Sequence, residues 1–157
     1  MAERSIQEKV ITQQLRTIFK AAQAHSKITE KECGLSSAKL WMLYEISAKP
    51  GILVSQLARE LSIHPSTCSN MLDKIEEKEL IHRDRSKMDQ RSVHIYLTDK
   101  GRQLLNKAPS PPQGKLSSTL QALSPEQLAD LESSLKIFIE ALHFEDSKAA
   151  LTPIIGD

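Results

Sequence analysis

The chain has 157 residues, of which 39% are hydrophobic and 26% are charged. This composition is typical of one soluble globular unit and excludes a disordered chain. No apolar run approaches the roughly 20 residues of a membrane span, and the first residues lack the apolar stretch of a signal peptide, so we expect a cytoplasmic protein. The two cysteines, Cys33 and Cys68, are too few for a disulfide scaffold.

The formal net charge of +1 argues against a protein that binds nucleic acid through bulk positive charge. The charge is unevenly distributed, because residues 1–108 carry +5 and residues 109–157 carry −4. The conspicuously basic stretch is 81–94. Its cations are Arg83, Arg85, Lys87 and Arg91.

The N-terminal part of the chain predicts two helices. Over residues 5–31, apolar residues recur at spacings of three and four, which places them on one face of a long helix that ends at Cys33-Gly34. A second helix, capped by Ser36 or Ser37, runs to about Lys49. The apolar residues of the first helix are Ile11, Leu15, Ile18 and Ala22, and the inward residues of the second are Leu40, Leu43 and Tyr44.

A helix-turn-helix pattern follows. Apolar residues from Val54 to Leu61 form the one-sided stripe of a short third helix. Pro65 suits the first position of a fourth helix, which we expect to reach about Lys78. The buried face of this fourth helix reads Cys68, Met71, Leu72 and Ile75, and the opposite face reads Ser66, Thr67, Asn70, Asp73 and Lys74.

Two short strands complete this pattern. Residues 80–85 read as a strand, 86–90 as a polar turn, and 93–97 as a half-buried strand with alternating apolar side chains. A helix-turn-helix followed by a basic β-hairpin is a winged helix. We therefore predict a mainly helical fold with one small hairpin.

The C-terminal part is predicted to be helical again. Thr98 caps a helix that prolines break at 109–112, and a short helical piece resumes near Lys115. Ser124 starts the final helix with the capping-box pattern Ser-Pro-Glu-Gln. Residues 144–157 show no periodicity, and we expect a flexible tail there.

The first and last helices carry apolar faces outside the winged-helix unit. Together they offer more apolar surface than so small a unit can cover, so a two-fold homodimer is expected. We divide the chain into a helical dimerisation region, 1–35 and 109–143, and a winged helix-turn-helix DNA-binding domain, 36–108. A dimer would read half-sites ~34 to 36 Å apart in a pseudo-palindromic operator.

The polar face of the fourth helix carries candidate contacts to double-stranded DNA. These residues project together because spacings of three and four superpose on a helix. Hydroxyls can contact phosphate or base edges, asparagine can pair with adenine, and lysine can reach guanine or phosphate. The alternative is an ordinary solvated helix face. The candidates are Ser66, Thr67, Asn70 and Lys74.

The hairpin supplies a second group of candidates. Arginines that flank a turn can enter a minor groove, whose negative potential attracts them. Asp89 stands two residues before Arg91, close enough to orient that side chain, although a surface salt bridge without consequence is the alternative. The candidates in the hairpin are Arg83, Arg85, Lys87, Asp89 and Arg91.

Three segments carry a resemblance to a known family: VSQLARELSI, HPSTCSNMLDKIEEKELI and RDRSKMDQRSVHIYLTDKG. The last is the most discriminating, with an Asp-x-Arg, an alternating strand and a Leu-Thr-x-x-Gly helix start. Its matching residues are Asp89, Arg91, Leu97, Thr98 and Gly101. The stretch 53–101 thereby resembles the MarR (multiple antibiotic resistance regulator) family of bacterial winged helix-turn-helix transcription factors.

The resemblance implies a homodimer with the fourth helix in the major groove and the wing in the minor groove. By this resemblance Arg91 lines the minor groove and Asp89 holds it in place. The chain departs from the family at Glu79, where glycine is usual. If that position requires a positive φ, a glutamate there costs on the order of 1 kcal/mol.

The resemblance also implies repression or activation that is relieved by a small aromatic or phenolic effector, and of these two we expect a ligand-responsive repressor. A ligand that prefers a dimer with the wrong spacing of recognition helices weakens operator binding. The candidate pocket residues are Trp41 and Tyr44 on the second helix and His25 on the first. The alternative is that Trp41 and Tyr44 pack in the core and His25 is solvated.

Two other functions would also fit a protein with this winged-helix pattern. Cys68 lies near the positive end of the fourth helix, which would lower the pKa of its thiol. A thiol-oxidation sensor of the same fold is therefore one alternative, with Cys33 as a second candidate residue. The opposing interpretation is that both cysteines are inert. A winged helix that serves protein contacts alone would have no reason to concentrate arginines in the wing. The sequence has no phosphate loop, nucleophile elbow or metal-ligand spacing, so we expect neither an enzyme, a metal site nor a cofactor.

Overall fold

Helices and a small sheet alternate along residues 1–85, 89 and 92–154, the part of the chain that the computed structural model describes. The helices are α1 (Ala2–Cys33), α2 (Ser37–Ala48), α3 (Val54–Glu60), α4 (Pro65–Glu77), α5 (Asp99–Lys107), α6 (Lys115–Ala122) and α7 (Pro125–Leu142). The strands are β1 (Ile52–Leu53), β2 (Ile81–Arg85) and β3 (Val93–Leu97). The predicted fold class, mainly helical with a small hairpin, is confirmed.

Local sequence signals set the helix boundaries. Gly34 closes α1 with a φ of 68°, and its N–H donates to the carbonyl of Glu30. The Ser36 hydroxyl accepts a hydrogen bond from the N–H of Lys39 at the start of α2. Ser124 and Gln127 form the predicted reciprocal capping box at the start of α7.

The sheet contains one strand that the sequence did not indicate. The order is β1-β3-β2, and both pairings are antiparallel, with Ile52 opposite Ile95 and Ile81 opposite Leu97. Strand β1 has only two residues and directly precedes α3, so it shows no alternation of apolar side chains. The N–H of Gly51 donates to the carbonyl of Ile95, which joins the wing to the segment between α2 and α3.

The hydrophobic core lies between α2, α3, α4 and the sheet. Side chains from all four elements are fully buried, so α4 is held in a fixed orientation on the core. The predicted inner face of α4 is confirmed, and its polar face therefore points outward. The buried residues of α4 are Cys68, Met71, Leu72 and Ile75.

The outer helices leave apolar side chains exposed in the single chain. Helix α1 packs on α2 and α6 through its C-terminal half, where His25, Ser26 and Thr29 are buried. The part of α1 up to Phe19 and most of α7 present exposed apolar groups. These include Val10, Ile11, Ile18 and Phe19 on α1, and Leu128, Leu131, Leu135, Phe138 and Leu142 on α7.

Within the described ranges, no helix combines the length and the apolar character that crossing a membrane demands. The C-terminal segment, for which we predicted a flexible tail, contains a 3₁₀ turn at Ala149–Leu151. The Leu151 carbonyl accepts a hydrogen bond of 3.0 Å from the N–H of His64, immediately before α4. We call residues 149–154 the C-terminal strap.

Candidate nucleic-acid interface and adjoining cavity

A histidine caps the start of α4. The Nδ1 atom of His64 accepts a hydrogen bond of 3.1 Å from the N–H of Ser66, and the Ser66 hydroxyl lies 2.7 Å from the same nitrogen. Because Nδ1 accepts from a backbone N–H, the ring carries its proton on Nε2. Sequence reasoning missed this cap, since serine, threonine, asparagine and aspartate are the usual N-cap residues.

The polar face of α4 lies where the sequence predicted it. Ser66, Asn70 and Lys74 are exposed, whereas Thr67 is partly buried. They occupy the side of the helix opposite the core, and an α-helix has the diameter that fits the major groove of DNA. The structure thus brings hydroxyl, amide and ammonium groups onto one accessible ridge.

Arg83 is engaged with α4 and does not project freely from the wing. Its Nη2 lies 2.6 Å from Asp73 Oδ1, and its Nε lies 2.8 Å from Glu76 Oε2. The Arg83 side chain is only 22% exposed. The guanidinium therefore links strand β2 to the recognition helix, a role that sequence reasoning did not assign to it.

The end of the wing carries the remaining candidates. Arg85 is the last residue of β2, lies opposite Val93 and is exposed. Asp89 Oδ2 accepts a hydrogen bond of 2.9 Å from the Ser92 hydroxyl. Lys87 and Arg91 lie outside the described residues, so the pairing of Asp89 with Arg91 stays a prediction.

The base of the wing contains the unusual glutamate. Glu79 has a φ of 60°. The position therefore does require a positive φ, and we expect the glutamate side chain there to lower the stability of the fold. The Thr98 hydroxyl donates to the Glu79 carbonyl at 2.6 Å and accepts from the N–H of Gly101 at 3.1 Å. A Cβ at Gly101 would lie 2.1 Å from the Leu80 carbonyl oxygen, so only glycine fits there. The start of α5 thus fixes the entry to the wing.

An apolar cavity of about 140 Å³ adjoins the interface. It lies between α1, α2, α6, the turn between α3 and α4, the middle of α4 and the C-terminal strap. Two of the three predicted pocket residues, His25 and Trp41, line it, whereas Tyr44 is 38% exposed on α2 and does not. The other principal lining residues are Ser37, Leu61, Ile63, Met71, Leu116, Pro153 and Ile154.

Two buried polar atoms in this cavity have no hydrogen-bond partner among the described residues. These atoms are His25 Nε2 and Ser37 Oγ. Burial lowers the pKa of His25, and the nearby positive charge of Lys115 lowers it further. The imidazole is therefore neutral at pH 7. The cavity suits a small apolar molecule that carries a hydrogen-bonding group.

Both cysteines are in environments that disfavour the thiolate. Burial raises the pKa of Cys68 to about 11 and outweighs the opposing effect of Arg83. The pKa of Cys33 is raised by burial and by the charge of Glu32. The expectation that the helix N-terminus lowers the pKa of Cys68 was wrong, because desolvation dominates at a fully buried sulfur.

Comparison with known proteins agrees with this geometry. The model of the MarR family matches residues 35–93. The chain is 29% identical over 87 residues to the HTH-type transcriptional repressor MdtR of Bacillus subtilis (strain 168), an alignment that covers 55% of this chain and 56% of the relative. It is 37% identical over 92 residues to the organic hydroperoxide resistance transcriptional regulator of the same strain, covering 59% and 61%. The matches thus span less than two thirds of each relative.

A solved structure shows the same fold over nearly the whole chain. Sco3205, a MarR family transcriptional regulator from Streptomyces coelicolor crystallised in complex with DNA, superposes with a TM-score of 0.62 at 20% identity. The match covers 90% of this chain and 93% of that one. The arrangement of the outer helices around the winged helix is therefore that of a known fold.

Proposed function

We propose that this protein is a cytoplasmic, homodimeric, DNA-binding transcriptional regulator of the MarR type that acts as a repressor, since residues 35–93 match the model of that family. The observation that carries the proposal is the exposed polar ridge of α4 beside the exposed Arg85 of the wing. Two of the similar proteins give support, since one is named a repressor and another was crystallised with DNA.

In this proposal α4 enters the major groove and reads base edges. Asn70 would pair with adenine, while Ser66 and Lys74 would reach phosphates or a neighbouring base. Arg85 contacts the backbone or the minor groove, together with Lys87 and Arg91 of the same hairpin. The core beneath α4 keeps this ridge rigid, so little ordering is required on binding.

The partner that covers the outer helices is a second copy of the chain. The exposed apolar groups of α1 and α7 lie at the two ends of the sequence, and the fold match includes both helices. A two-fold axis buries the same patch on both subunits and presents two α4 ridges to one duplex. Two half-sites about one helical turn apart, ~34 to 36 Å, follow from this arrangement.

The cavity is the proposed effector site. Trp41 offers an aromatic surface, and the unpartnered atoms of His25 and Ser37 offer hydrogen bonds to a phenolic or similar polar group. The positive charge of Lys115, which also lines the cavity, favours an acidic aromatic compound. An effector bound there would alter operator affinity by its preference for one spacing of the α4 helices.

DNA selection followed by salt titration tests the proposal. Sequences enriched from a random duplex pool should be pseudo-palindromic, and affinity for them should fall steeply as salt rises. Lys74→Ala and Arg85→Ala should each reduce the slope of log affinity against log salt by about one. Lys9→Ala, an exposed change on α1, is the matched control and should leave the slope unchanged. Absence of any enriched sequence would overturn the proposal.

A further inference from the structure

The C-terminal strap contacts two functional regions at once. At one end, Pro153 and Ile154 form part of the cavity wall that also contains His25 and Trp41. At the other end, the Leu151 carbonyl accepts a hydrogen bond of 3.0 Å from the N–H of His64, the residue that caps α4. One short segment therefore joins the wall of the cavity to the start of the proposed recognition helix.

We propose that this strap is a latch that couples occupancy of the cavity to the start of α4. When the strap is docked, it closes one side of the cavity and restrains His64. A molecule that displaces Pro153 and Ile154 from the cavity wall also withdraws the Leu151 carbonyl from His64. The consequence for DNA binding rests on the function proposed above, whereas the mechanical coupling does not.

The strap is built to move as a unit. The Thr152 N–H and hydroxyl donate hydrogen bonds to the carbonyls of Ala149 and Lys148, and the Leu151 N–H donates to Lys148 as well. These bonds stiffen the segment from Lys148 to Thr152. Leu151 and Ile154 are only three positions apart in the chain, a span of at most roughly 10 Å, so the two ends cannot shift independently by a large distance.

The docked strap buries little surface, which suits a device that must release. Ile154 is 70% exposed and Leu151 is 40% exposed, although Pro153 is partly buried in the cavity wall. Segments with few buried apolar contacts open at low cost in free energy. A ligand therefore needs only a modest preference for the open strap to shift its population.

Release of the strap acts directly on residues that would meet DNA. His64 holds the first turn of α4 through its ring, and its backbone is held in turn by Leu151. Loss of that bond leaves the turn before α4 less ordered, so DNA binding must order it again. We expect an undocked strap to weaken DNA binding by about 5- to 10-fold, at the low end of the range that coupling between sites produces.

Two full-length variants test the coupling from opposite ends. Ile154→Asp replaces an apolar side chain at the exposed edge of the cavity wall with a charged, hydrated one. His64→Pro removes the N–H that donates to the Leu151 carbonyl, at a residue whose φ of −65° suits proline. His64→Ala is the matched control, because it loses the ring cap as His64→Pro does but retains the N–H. Ile154→Leu is the conservative control at the cavity end.

The effect of each variant is measured at the end of the strap opposite to the substitution. Trp41 is the only tryptophan in the sequence, so quenching of its fluorescence by acrylamide reports on closure of the cavity. His64→Pro should raise the quenching constant several-fold over that of His64→Ala. Ile154→Asp should speed hydrogen exchange at the His64 amide at least tenfold, while the core amide of Leu72 stays protected and shows that the variant is folded.

The outcomes separate the latch from the proposed function. Unchanged His64 exchange in Ile154→Asp, or equal Trp41 quenching in His64→Pro and His64→Ala, would overturn the coupling. Faster exchange with unchanged DNA affinity in Ile154→Asp would overturn the regulatory role of the strap. If the unmodified protein selects no DNA sequence, the function proposed above fails, while the exchange and quenching results still decide whether the strap couples its two ends.

Discussion

The guanidinium of Arg83 in the wing lies 2.6 Å from the carboxylate of Asp73 in α4. A second carboxylate, Glu76 one turn later, lies 2.8 Å from the same guanidinium. This cluster joins the two elements that are proposed to enter adjacent grooves of DNA. The angle between the wing and the recognition helix therefore depends on Arg83. From the sequence alone, the position of this arginine in a basic hairpin predicts a contact to DNA instead.

Arg83→Ala should lower the free energy of unfolding by about 1 kcal/mol, a value discounted because both carboxylates are largely exposed. Arg85→Ala should leave stability unchanged, since Arg85 is exposed. Urea unfolding measures both effects. Asp73→Ala should reproduce most of the loss, and in the double variant the two losses should not add. Additive losses would show that the ion pair contributes nothing to stability.

Glu79→Gly should stabilise the protein by about 1 kcal/mol. The φ of 60° at Glu79 strains any residue with a Cβ, and glycine relieves that strain. The Glu79 carboxylate lies 3.8 Å from the Lys100 ammonium, but a surface pair of this kind contributes little. Urea unfolding should show the gain for glycine only, because Glu79→Ala keeps the strain. Equal midpoints for Glu79→Gly and Glu79→Ala would rule out backbone strain as the cause.

Features that depend on neighbours along the chain were predictable. The caps at Ser36, Thr98 and Ser124, the glycine that ends α1 and the apolar face of α4 all follow from residues within four positions of one another. Hydrogen bonds of caps and the periodicity of a helix are local, so a single sequence contains the information. The ridge of candidate DNA contacts could be located for the same reason.

Features that depend on distant residues were not predictable. Strand β1 is defined by its pairing with β3, 43 residues away at the Ile52–Ile95 pair. The carboxylate partners of Arg83 lie on another element, and the strap reaches His64 from the far end of the chain. Burial of His25 likewise results from packing between elements. The burial of Cys68 was predicted from the apolar face of α4, but the strength of its desolvation, which reversed the predicted direction of its pKa shift, was not.

Cys68 should resist oxidation and alkylation in the folded protein. Its pKa of about 11 leaves almost no thiolate at pH 7, and its sulfur is fully buried. Iodoacetamide labelling followed by mass spectrometry should modify Cys68 only after the protein is unfolded in urea. DNA affinity should survive exposure to a hydroperoxide, and Cys68→Val should behave as the unmodified protein does. Loss of DNA binding that Cys68→Val prevents would instead establish a thiol sensor.

The stability of the protein should fall as the pH is lowered from 7 to 5, and His25 should account for part of that loss. Burial and the positive charge of Lys115 hold the pKa of His25 below its ordinary value of 6.5. The unfolded chain therefore takes up a proton near pH 6.5 that the folded chain takes up only at lower pH, so protonation favours unfolding. Above pH 7 the histidine is neutral in both states and contributes no pH dependence. Urea unfolding between pH 5 and 8 should give a flatter profile for His25→Gln than for the unmodified protein. Parallel profiles for His25→Gln and the unmodified protein would show that the buried imidazole titrates as it does in the unfolded chain.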